Sequence, residues 1–519
     1  MEDLFIGLDL STQQVKAILL DGTNTVVHRE AVNFGKDLPQ YGTKDGSHFD
    51  VDRMTVTSPM QMWLHALDIV FEKLNEKFDL QKVRGISGCA QQHGTVYWAN
   101  GGEKILNNLK PSESLRDGLK NAFATNDCPI WMDSSTDEQC FFLEESVGGA
   151  ENLCKLTGSR AHQRFSGAQI KKMHDKKVAI WKETEKVSII SSFLTSLLSG
   201  QFQGVEYTDG SGTSLMSITK NEWIPELLEA AAPNLSKKIG PLIPPNVPVG
   251  AISHYFNERF NINKECRVLP FLGDNPASLA GLAMNVGDVG VSLGTSDTLF
   301  FTTNAYNPCV DAHVFAHFQN DQVYMPLVCF KNGSLTRERI KKRVGVEWDS
   351  FSDVLAKTKI GNDGNIGFFY DVDEIIPRVN KGDRLFDIHG EKVADFTDHA
   401  TARAVFESQC LLKRYYAEKM GLKASSGGRL LVTGGASGNV DLQQMLADVF
   451  DMQVYVINVV DSAALGGAMR ARYDFYSPTE SYENYYSDLS FTKVADPSAE
   501  AHKVYNEMVN RLEGLIEKL

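Results

Sequence analysis

Short apolar runs alternate with amphipathic segments along the chain, which indicates a mixed α/β protein. Runs at 5–10 and 15–20 flank a polar turn and predict a β-hairpin, and a run at 268–272 stops at Gly273 before a helix-like segment. The predicted strand 429–433 leads through a glycine-rich loop into another helix. Helical spacing predicts three core-facing sets of residues: Trp63, Leu67, Val70 and Leu74; Ala402, Val405, Leu412 and Tyr416; and Leu442, Met445, Leu446 and Val449.

Signals for a helix start occur before two of the predicted helices. Ser58 and Gln61 enclose Pro59, which predicts a capping box with proline in the first helical turn. Asp274 lies between a strand and Pro276. It is therefore either a helix N-cap or a functional carboxylate at the carboxyl end of a strand, where ligands of open α/β sheets collect.

The chain contains two predicted hairpins of the same design, separated by about half its length. Each has an apolar strand, a pair of hydroxyl residues, a further polar residue and a second apolar strand. The hydroxyl pairs are Ser11 with Thr12 and Thr295 with Ser296. Solenoid repeats recur every ~20–50 residues, so a single recurrence at this distance instead predicts a duplicated, two-lobed architecture.

Composition and charge indicate a globular protein and argue against some classes of partner. A length of 519 residues exceeds what one core usually supports, and 42% hydrophobic with 23% charged residues is typical of a globular protein. The net charge of −14 argues against partners such as nucleic acid or an anionic membrane. The eight cysteines form no CxxC pair, and the acidic N-terminus does not resemble a secretory signal, so a cytoplasmic location is predicted. No apolar run approaches the ~20 residues of a spanning helix.

Polar residues at strand ends are candidates for a binding site. Gln91, Gln92 and His93 follow a predicted strand, and amide and imidazole groups can both donate and accept hydrogen bonds, as a polyhydroxyl ligand requires. Asp9 interrupts an apolar strand, which is costly unless the acid is paired or binds a cation. The alternatives remain a plain hairpin, a structural histidine and, at 207–213, an ordinary glycine-rich turn.

Six motifs, in the same order along the chain, resemble those of the FGGY carbohydrate kinases. They are Asp-Leu-Ser-Thr-Gln-Gln (9–14), Gln-Gln-His-Gly (91–94), Trp-Met-Asp-Ser-Ser (131–135), Gly-Asp-Asn-Pro-Ala-Ser-Leu-Ala-Gly (273–281), Ser-Leu-Gly-Thr-Ser-Asp-Thr (292–298) and Gly-Gly-Ala-Ser (434–437). The resemblance implies an α/β, actin-like, ribonuclease-H-type duplicated fold with the active site in the interlobe cleft. It also implies an N-terminal lobe at 1–283, a C-terminal lobe at 284–475 and a tail with a terminal helix at 476–519.

The same resemblance implies ATP-dependent phosphorylation of the small-molecule sugar D-xylulose to D-xylulose 5-phosphate, assisted by Mg²⁺. Asp274 is expected to be the catalytic base and a candidate metal ligand, and Asp9 is expected to hold the metal through water. The sugar is expected to contact Gln92, His93, Arg164, Asp274 and Asn275. ATP is expected to contact Ser11, Thr12, Gln13, Gly294, Thr295, Ser296, Trp348, Gly434, Gly435, Ala436 and Asn439.

Two alternatives to this activity remain at the level of the sequence. A kinase for another pentulose, a polyol such as glycerol or a sugar acid would keep the fold and Asp274, and would differ around His93 and Arg164. An ATP-driven binding module related to actin or a chaperone would need no polyol pocket, so the Gln91–His93 run argues against it. Gln92 departs from many bacterial members of the family, which carry methionine there. The sequence makes no prediction about oligomeric state.

Overall fold

A computed structural model of the protein describes residues 3–423, 427–456 and 461–519. Its strands are β1 (Leu4–Leu10), β2 (Gln14–Asp21), β3 (Val26–Asn33), β4 (His48–Asp50), β5 (Thr55–Pro59), β6 (Val83–Ala90), β7 (Thr95–Ala99), β8 (Asp127–Pro129), β9 (Thr184–Ile189), β10 (Val205–Glu206), β11 (Met216–Ser217), β12 (Glu222–Trp223), β13 (Leu242–Ile243), β14 (Gly250–Ala251), β15 (Arg267–Val268), β16 (Leu272–Gly273), β17 (Val289–Leu293), β18 (Asp297–Phe301), β19 (His313–Ala316), β20 (Tyr324–Phe330), β21 (Ile366–Tyr370), β22 (Glu374–Ile375), β23 (Arg378–Val379), β24 (Gly382–Phe386), β25 (Lys392–Val393), β26 (Arg429–Thr433), β27 (Gln453–Val456) and β28 (Thr492–Ala495). Its α-helices are α1 (Phe34–Asp37), α2 (Met60–Lys77), α3 (Gly102–Asn107), α4 (Leu115–Gly118), α5 (Asp137–Ser146), α6 (Ala150–Thr157), α7 (Ser166–Lys176), α8 (Val178–Glu183), α9 (Ile190–Ser199), α10 (Tyr207–Gly210), α11 (Pro225–Ala231), α12 (Ser236–Ile239), α13 (His254–Phe260), α14 (Asp274–Gly281), α15 (Ser334–Val344), α16 (Phe351–Leu355), α17 (Asp398–Lys419), α18 (Val440–Phe450), α19 (Ser462–Tyr476), α20 (Tyr482–Tyr485) and α21 (Ala499–Ile516).

The chain divides into two compact units. Unit 1 comprises Met1–Ala283, Phe315–Asp321 and Val460–Asp488. Unit 2 comprises Met284–Val314, Gln322–Val459 and Leu489–Leu519. Each unit contains its own mixed sheet with helices packed on it.

The two sheets repeat the same topology. In unit 1 the strand order is β14-β15-β6-β1-β2-β3, and β16 extends the pairing along β6. In unit 2 the order is β19-β20-β18-β17-β26-β27-β28. Around β1 and around β17, an antiparallel hairpin partner lies on one side and a parallel strand on the other. In unit 1 the pairs β3-β2 and β2-β1 are antiparallel, β1-β6 and β6-β15 are parallel, and β15-β14 is antiparallel. In unit 2 the pairs β20-β18 and β18-β17 are antiparallel, β17-β26 and β26-β27 are parallel, and β27-β28 is antiparallel. The same order in both sheets is what the duplication predicts.

The predicted helix faces form the cores of the units. Trp63, Leu67, Val70 and Leu74 are buried on α2 in the main core of unit 1. The predicted apolar faces of α17 and α18 are buried in the core of unit 2. The terminal helix α21 packs on both of these helices. Among the described residues, no helix is long and apolar enough to cross a bilayer.

The predicted capping box at the start of α2 is wrong. The helix begins at Met60 after Pro59, and no side chain caps it. Ser58 belongs to β5, and its hydroxyl group donates to the carbonyl oxygen of Gly46. Local sequence favoured the cap, but pairing of β5 with β4 and β8 takes Ser58 into a sheet.

Helix α19 packs against α14 and the sheet of unit 1 at very short range. A Cβ atom on Gly466 would lie 2.0 Å from the carbonyl oxygen of Ala277, and one on Gly281 would lie 2.0 Å from that of Ser462. Glycine also lets β1 approach the helix, because a Cβ atom on Gly7 would lie 1.9 Å from the Ala464 carbonyl oxygen. The small residues of α19 therefore allow direct contact between the backbones of neighbouring elements.

We expect Gly466→Ala to destabilise unit 1, because the added methyl group meets a backbone carbonyl that has no side-chain freedom to move. Overpacking of this kind costs about 1–3 kcal/mol, which exceeds the gain in helix propensity. Gly514→Ala in α21 is the matched control, since a Cβ atom there meets nothing within 4 Å. The control should be stabilised by about 0.5–1 kcal/mol. Calorimetric melting of both variants tests this, and equal melting temperatures would contradict it.

Candidate active site

The first hairpin buries Asp9 with one oxygen left unpaired. Asp9 lies on β1 and is 4% exposed. Its Oδ2 accepts a hydrogen bond from Ser11 Oγ at 2.6 Å and lies 3.6 Å from Lys16 Nζ, which is closer, at 2.8 Å, to Asp461. Its Oδ1 is buried and has no hydrogen-bond partner within the part of the chain that the structure describes. That oxygen remains for a ligand or a cation-bound water.

The turn after Asp9 carries the residues expected to face the phosphates. Thr12 Oγ1 accepts a hydrogen bond from Trp131 Nε1 at 2.9 Å and donates to Gln91 Oε1 at 3.4 Å. Gln13 is exposed, and Ser11 is partly exposed. The turn is therefore braced by Trp131 and Gln91 while part of its surface stays open to solvent.

Asp274 lies at the point where β16 ends and α14 begins. The N-cap of α14 is Gly273, so Asp274 is not the cap and is instead the first residue of the helix. Asp274 Oδ1 accepts hydrogen bonds from the backbone nitrogen of Asn275 at 2.9 Å and from its Nδ2 at 3.0 Å. Among the described residues, no protein group donates to Asp274 Oδ2. Oδ1 is thus held in place by Asn275, whereas Oδ2 is not.

A hydrogen-bonded chain of side chains connects Asn275 to the 207–213 loop. Asn275 Nδ2 also donates to Gln92 Oε1 at 3.0 Å, and Gln92 Nε2 donates to Asp209 Oδ1 at 3.4 Å. Asp209 Oδ2 accepts from Ser191 Oγ at 2.6 Å. A Cβ atom on Gly273 would lie 2.5 Å from Gln92 Nε2, so any larger residue there would displace the Gln92 side chain. These contacts set the orientation of the Gln92 amide.

Three carboxyl groups of this region, those of Asp274, Asp209 and Glu206, have raised pKa values. Burial, and then the nearby Asp9 and Asp209, raise the pKa of Asp274 to about 7, although the Asn275 hydrogen bond lowers it. Burial raises the pKa of Asp209 to about 6, and burial with the Asp209 charge raises that of Glu206 to about 8. A carboxyl group with a pKa near neutrality can both accept and release a proton at working pH.

His93 and Arg164 lie near the same aromatic ring. The His93 ring stacks on Phe165 with centroids 4.5 Å apart, and the Arg164 guanidinium carbon lies 5.4 Å from the Phe165 centroid. His93 Nδ1 is 3.0 Å from the carbonyl oxygen of Gly212, so the neutral ring carries its proton on Nδ1 and Nε2 is its acceptor nitrogen. His93 has a φ of 73°, a conformation uncommon outside glycine that is found preferentially at functional sites.

Unit 2 presents a second polar turn between β17 and β18. Thr295 and Ser296 are exposed, and Gly294 is partly buried. The carbonyl oxygens of Gly294 and Thr295 accept hydrogen bonds from the backbone nitrogens of Ser334 at 2.8 Å and Gly333 at 3.1 Å. Within the described residues, the N–H groups of Thr295 and Ser296 donate to no protein acceptor. Such a turn offers unpaired donors to an anion.

The glycine-rich loop after β26 lies next to the end of β17. The backbone nitrogen of Ala436 donates to the carbonyl oxygen of Leu293 at 3.2 Å. Gly434 has a φ of 89°, and a Cβ atom there would lie 2.5 Å from the same oxygen, so glycine is needed on both counts. A Cβ atom on Gly435 would meet nothing within 4 Å. Asn439 is the N-cap of α18, with its side chain accepting from the Leu442 backbone nitrogen at 2.9 Å.

Trp348 is anchored at the edge of the unit 2 core. Its Nε1 donates to Glu338 Oε2 at 3.0 Å, and Lys341 Nζ lies 5.4 Å from its ring centroid. Ser352, on the helix that follows, donates to Asp441 Oδ2 at 2.8 Å. That bond ties the Trp348 segment to the start of α18, directly after the glycine-rich loop.

The sequence did not single out Asp209 as a functional residue. Its loop was interpreted as more typical of an ordinary turn, and nothing local distinguishes the acid from a turn-forming one. The signal that could have identified Asp209 was the Gln91–His93 run, because buried amides need hydrogen-bond partners. Among the described residues, no three His, Cys, Asp or Glu side chains cluster as metal ligands.

Comparisons with known proteins agree on one family. Residues 120–281 match the N-terminal domain and residues 289–475 the C-terminal domain of the FGGY family of carbohydrate kinases. The chain is 45% identical over 468 residues to a xylulose kinase of Rattus norvegicus, with 90% of this chain and 87% of the relative covered. It is 42% identical over 526 aligned positions to a xylulose kinase of Mus musculus, covering 99% and 94%.

A solved structure agrees with the fold. The ligand-bound xylulose kinase from Lactobacillus acidophilus is similar with a TM-score of 0.81 and 16% identity, over 100% of this chain and 98% of that one. The duplicated α/β fold and the sugar-kinase class predicted from the six motifs are therefore confirmed, against the alternative of an ATP-driven binding module. The chain belongs to the FGGY family of carbohydrate kinases.

Proposed function

We propose that this kinase transfers the γ-phosphoryl group of ATP to D-xylulose, with Asp274 as general base. The names of the relatives at 42–45% identity support the choice of sugar. The observation that carries the mechanism is the Asp274 carboxylate, which has Oδ1 fixed by Asn275, Oδ2 without a protein donor among the described residues and a pKa raised to about 7.

In the proposed reaction, Asp274 Oδ2 accepts the proton of the attacking sugar hydroxyl group. The hydroxyl oxygen forms a bond to the γ-phosphorus as the bond to the β,γ-bridging oxygen breaks, and ADP leaves with that electron pair. The proton remains on Asp274 until it returns to solvent. Phosphoryl transfer depends mainly on positioning and charge stabilisation, so one base of moderate strength is sufficient.

Mg²⁺ would supply charge neutralisation at the transferred phosphate. Asp9 fits this group, because its buried Oδ1 has no hydrogen-bond partner among the described residues and could hold a metal-bound water. Asp274 is a second candidate contact. Mg²⁺ usually retains several waters and binds through one or two carboxylates plus substrate phosphates, so a dedicated protein cage is not required.

The remaining predicted residues divide between the two substrates. We assign His93, Arg164, Gln92 and Asn275 to the ketopentose, because their donors and acceptors are buried or half-buried around Asp274 and Phe165. We assign two turns, Ser11–Gln13 and Gly294–Ser296, to the ATP phosphates. The adenosine is assigned to Gly434, Gly435, Ala436 and Asn439, with Trp348 tied to that region through Ser352 and Asp441.

Asp274→Asn should lower kcat by about 10²–10⁴-fold, the usual contribution of a general base. Asparagine keeps the size and the contacts with Asn275 but has no basic oxygen. Sugar binding by calorimetry should stay within about tenfold, equivalent to ~1.4 kcal/mol. Near-normal turnover by a folded, sugar-binding variant would contradict the assignment of the base.

The pKa of Asp274 makes activity and stability depend on pH in opposite directions. kcat/KM should rise about tenfold per pH unit below pH ~7 and level off above it, because the base must be deprotonated. The raised pKa means that the folded state holds a proton that the unfolded chain releases, so stability should fall as pH rises from ~4 to ~7. Asp274→Asn removes this pH-dependent loss of stability. The variant should therefore have a higher melting temperature than wild type at pH ~8, but not at pH ~4. A pH-independent difference in melting temperature would contradict it.

The choice of sugar is tested by a coupled ADP assay with D-xylulose, L-ribulose, glycerol and gluconate. We expect D-xylulose to have the highest kcat/KM by at least about tenfold, since a site built to hydrogen-bond particular hydroxyl groups rejects analogues that leave those groups unpaired. Comparable values for glycerol or gluconate would favour a sister kinase with the same fold and base.

A further inference from the structure

Three buried charged side chains lie directly behind the Gly294–Ser296 turn in unit 2. Asp297 is fully buried, and Arg337 and Lys413 are each 2% exposed. Arg337 binds Asp297 in a bidentate manner, with Nη1 to Oδ2 at 2.7 Å and Nη2 to Oδ1 at 3.1 Å. Lys413 Nζ donates to Asp297 Oδ2 at 2.9 Å. Burial alone would raise the pKa of Asp297, but Lys413 and Arg337 outweigh it and hold the pKa below its usual value.

This charge cluster is bonded to the turn itself. Asp297 Oδ1 accepts a hydrogen bond from the Gly294 backbone nitrogen at 3.2 Å. On the other side, Gly333 allows the closest possible approach of α15, since a Cβ atom there would lie 2.6 Å from the Gly294 carbonyl oxygen and 2.7 Å from that of Thr295. The turn is thus fixed through its first N–H group and through its carbonyl oxygens.

Arg337 extends the network to the start of α15. Its Nη1 also donates to Gln409 Oε1 at 2.6 Å, and Gln409 Nε2 donates to the carbonyl oxygen of Asn332 at 2.9 Å. Lys413, one turn along α17 from Gln409, donates to the Gln409 carbonyl oxygen at 3.1 Å. Side chains from two helices therefore converge on one carboxylate at the base of the turn.

The cluster is a poor way to gain stability. Burying charges costs several kcal/mol per ion before their attraction is counted, and buried pairs are often no better than apolar residues of the same volume. Here two cations share one carboxylate, so the three side chains together carry a net charge of +1. Glu374 lines a small cavity together with Lys413, but it accepts from four N–H donors and, among the described residues, forms no ion pair with either cation.

We propose that Arg337 and Lys413 are positioning residues that act through Asp297 to hold the Gly294–Ser296 turn and to place one net positive charge behind the nucleotide phosphates. This inference rests on the proposed function, in which that turn binds ATP. The chain carries a net charge of −14, which opposes the approach of a polyphosphate. A buried cation behind the turn offsets this repulsion locally, because electrostatic interactions are stronger at low dielectric constant than in water.

The first test compares two arginines on the same helix. Arg337→Gln removes a buried bidentate pair behind the turn, whereas Arg339→Gln removes a half-exposed one, in which Arg339 binds Asp383 at 2.7 and 2.9 Å. Both variants lose one charge from the same unit. Arg337→Gln should raise KM for ATP on the order of tenfold, and the control should stay within about twofold.

The second test separates charge from packing. Lys413→Met keeps most of the length of the side chain and leaves a neutral Asp297–Arg337 pair, so it covers the case in which Arg337→Gln does not fold. Binding of ADP and of adenosine to the full chain is measured by calorimetry. ADP affinity should fall on the order of tenfold while adenosine affinity stays within about twofold, since only ADP carries the phosphates. Lys413→Arg, which keeps the charge, should recover most of the ADP affinity.

The outcomes distinguish this inference from the proposed function. Equal losses of ADP and adenosine affinity, or no loss of ADP affinity in a folded Lys413→Met variant, would overturn the positioning role. D-Xylulose affinity measured without nucleotide should be unchanged in every variant, and a loss there would also overturn the role. Failure of the wild-type enzyme to phosphorylate D-xylulose would instead contradict the proposed substrate and leave the ADP comparison intact.

Discussion

The chemistry that we propose for this kinase depends on which groups surround its carboxylates. In unit 1, Asp274, Asp209 and Glu206 are held by neutral donors, and burial raises the pKa of each. In unit 2, Asp297 is fully buried but is bound by Arg337 and Lys413, so its pKa is lowered. The same side-chain type is therefore tuned in opposite directions, because desolvation favours the neutral acid and adjacent cations favour the anion.

This contrast matches what the two substrates require. A sugar hydroxyl group needs a proton acceptor, and a carboxylate without a cation partner is a stronger base than a paired one. A polyphosphate needs fixed positive charge and oriented N–H groups, and it would be repelled by an unpaired acid. The duplicated sheet supplies the same hairpin and parallel strand in both units. In the proposed function both turns bind the ATP phosphates, and the units differ in that Asp297 is bound by two cations whereas Asp274 is bound by the neutral Asn275.

The sequence predicted the parts of this arrangement that are local. Hairpin turns, helix faces and the strand-to-helix transition at Asp274 follow from residue spacing over fewer than about twenty positions. Three features were missed because they depend on distant partners. Ser58 joined a sheet instead of capping α2, Asp209 looked like a turn residue, and Asp297 lay inside a predicted motif without an assigned partner. Arg337 and Lys413 reach Asp297 from 40 and 116 positions away, which no local pattern encodes.

Close backbone packing brings α19 next to the strand that carries Asp9. Glycines at positions 7, 281 and 466 let α19 lie directly on β1 and on α14. Lys16 is the nearest cation to Asp9, but its shorter ion pair is with Asp461 at the start of α19. Helix α19 therefore has two effects on Asp9. Its packing keeps the local dielectric constant low, and Asp461 at its start pairs with Lys16. In the proposed mechanism, Asp9 would hold a metal-bound water and Asp274 would accept the proton of the sugar hydroxyl group.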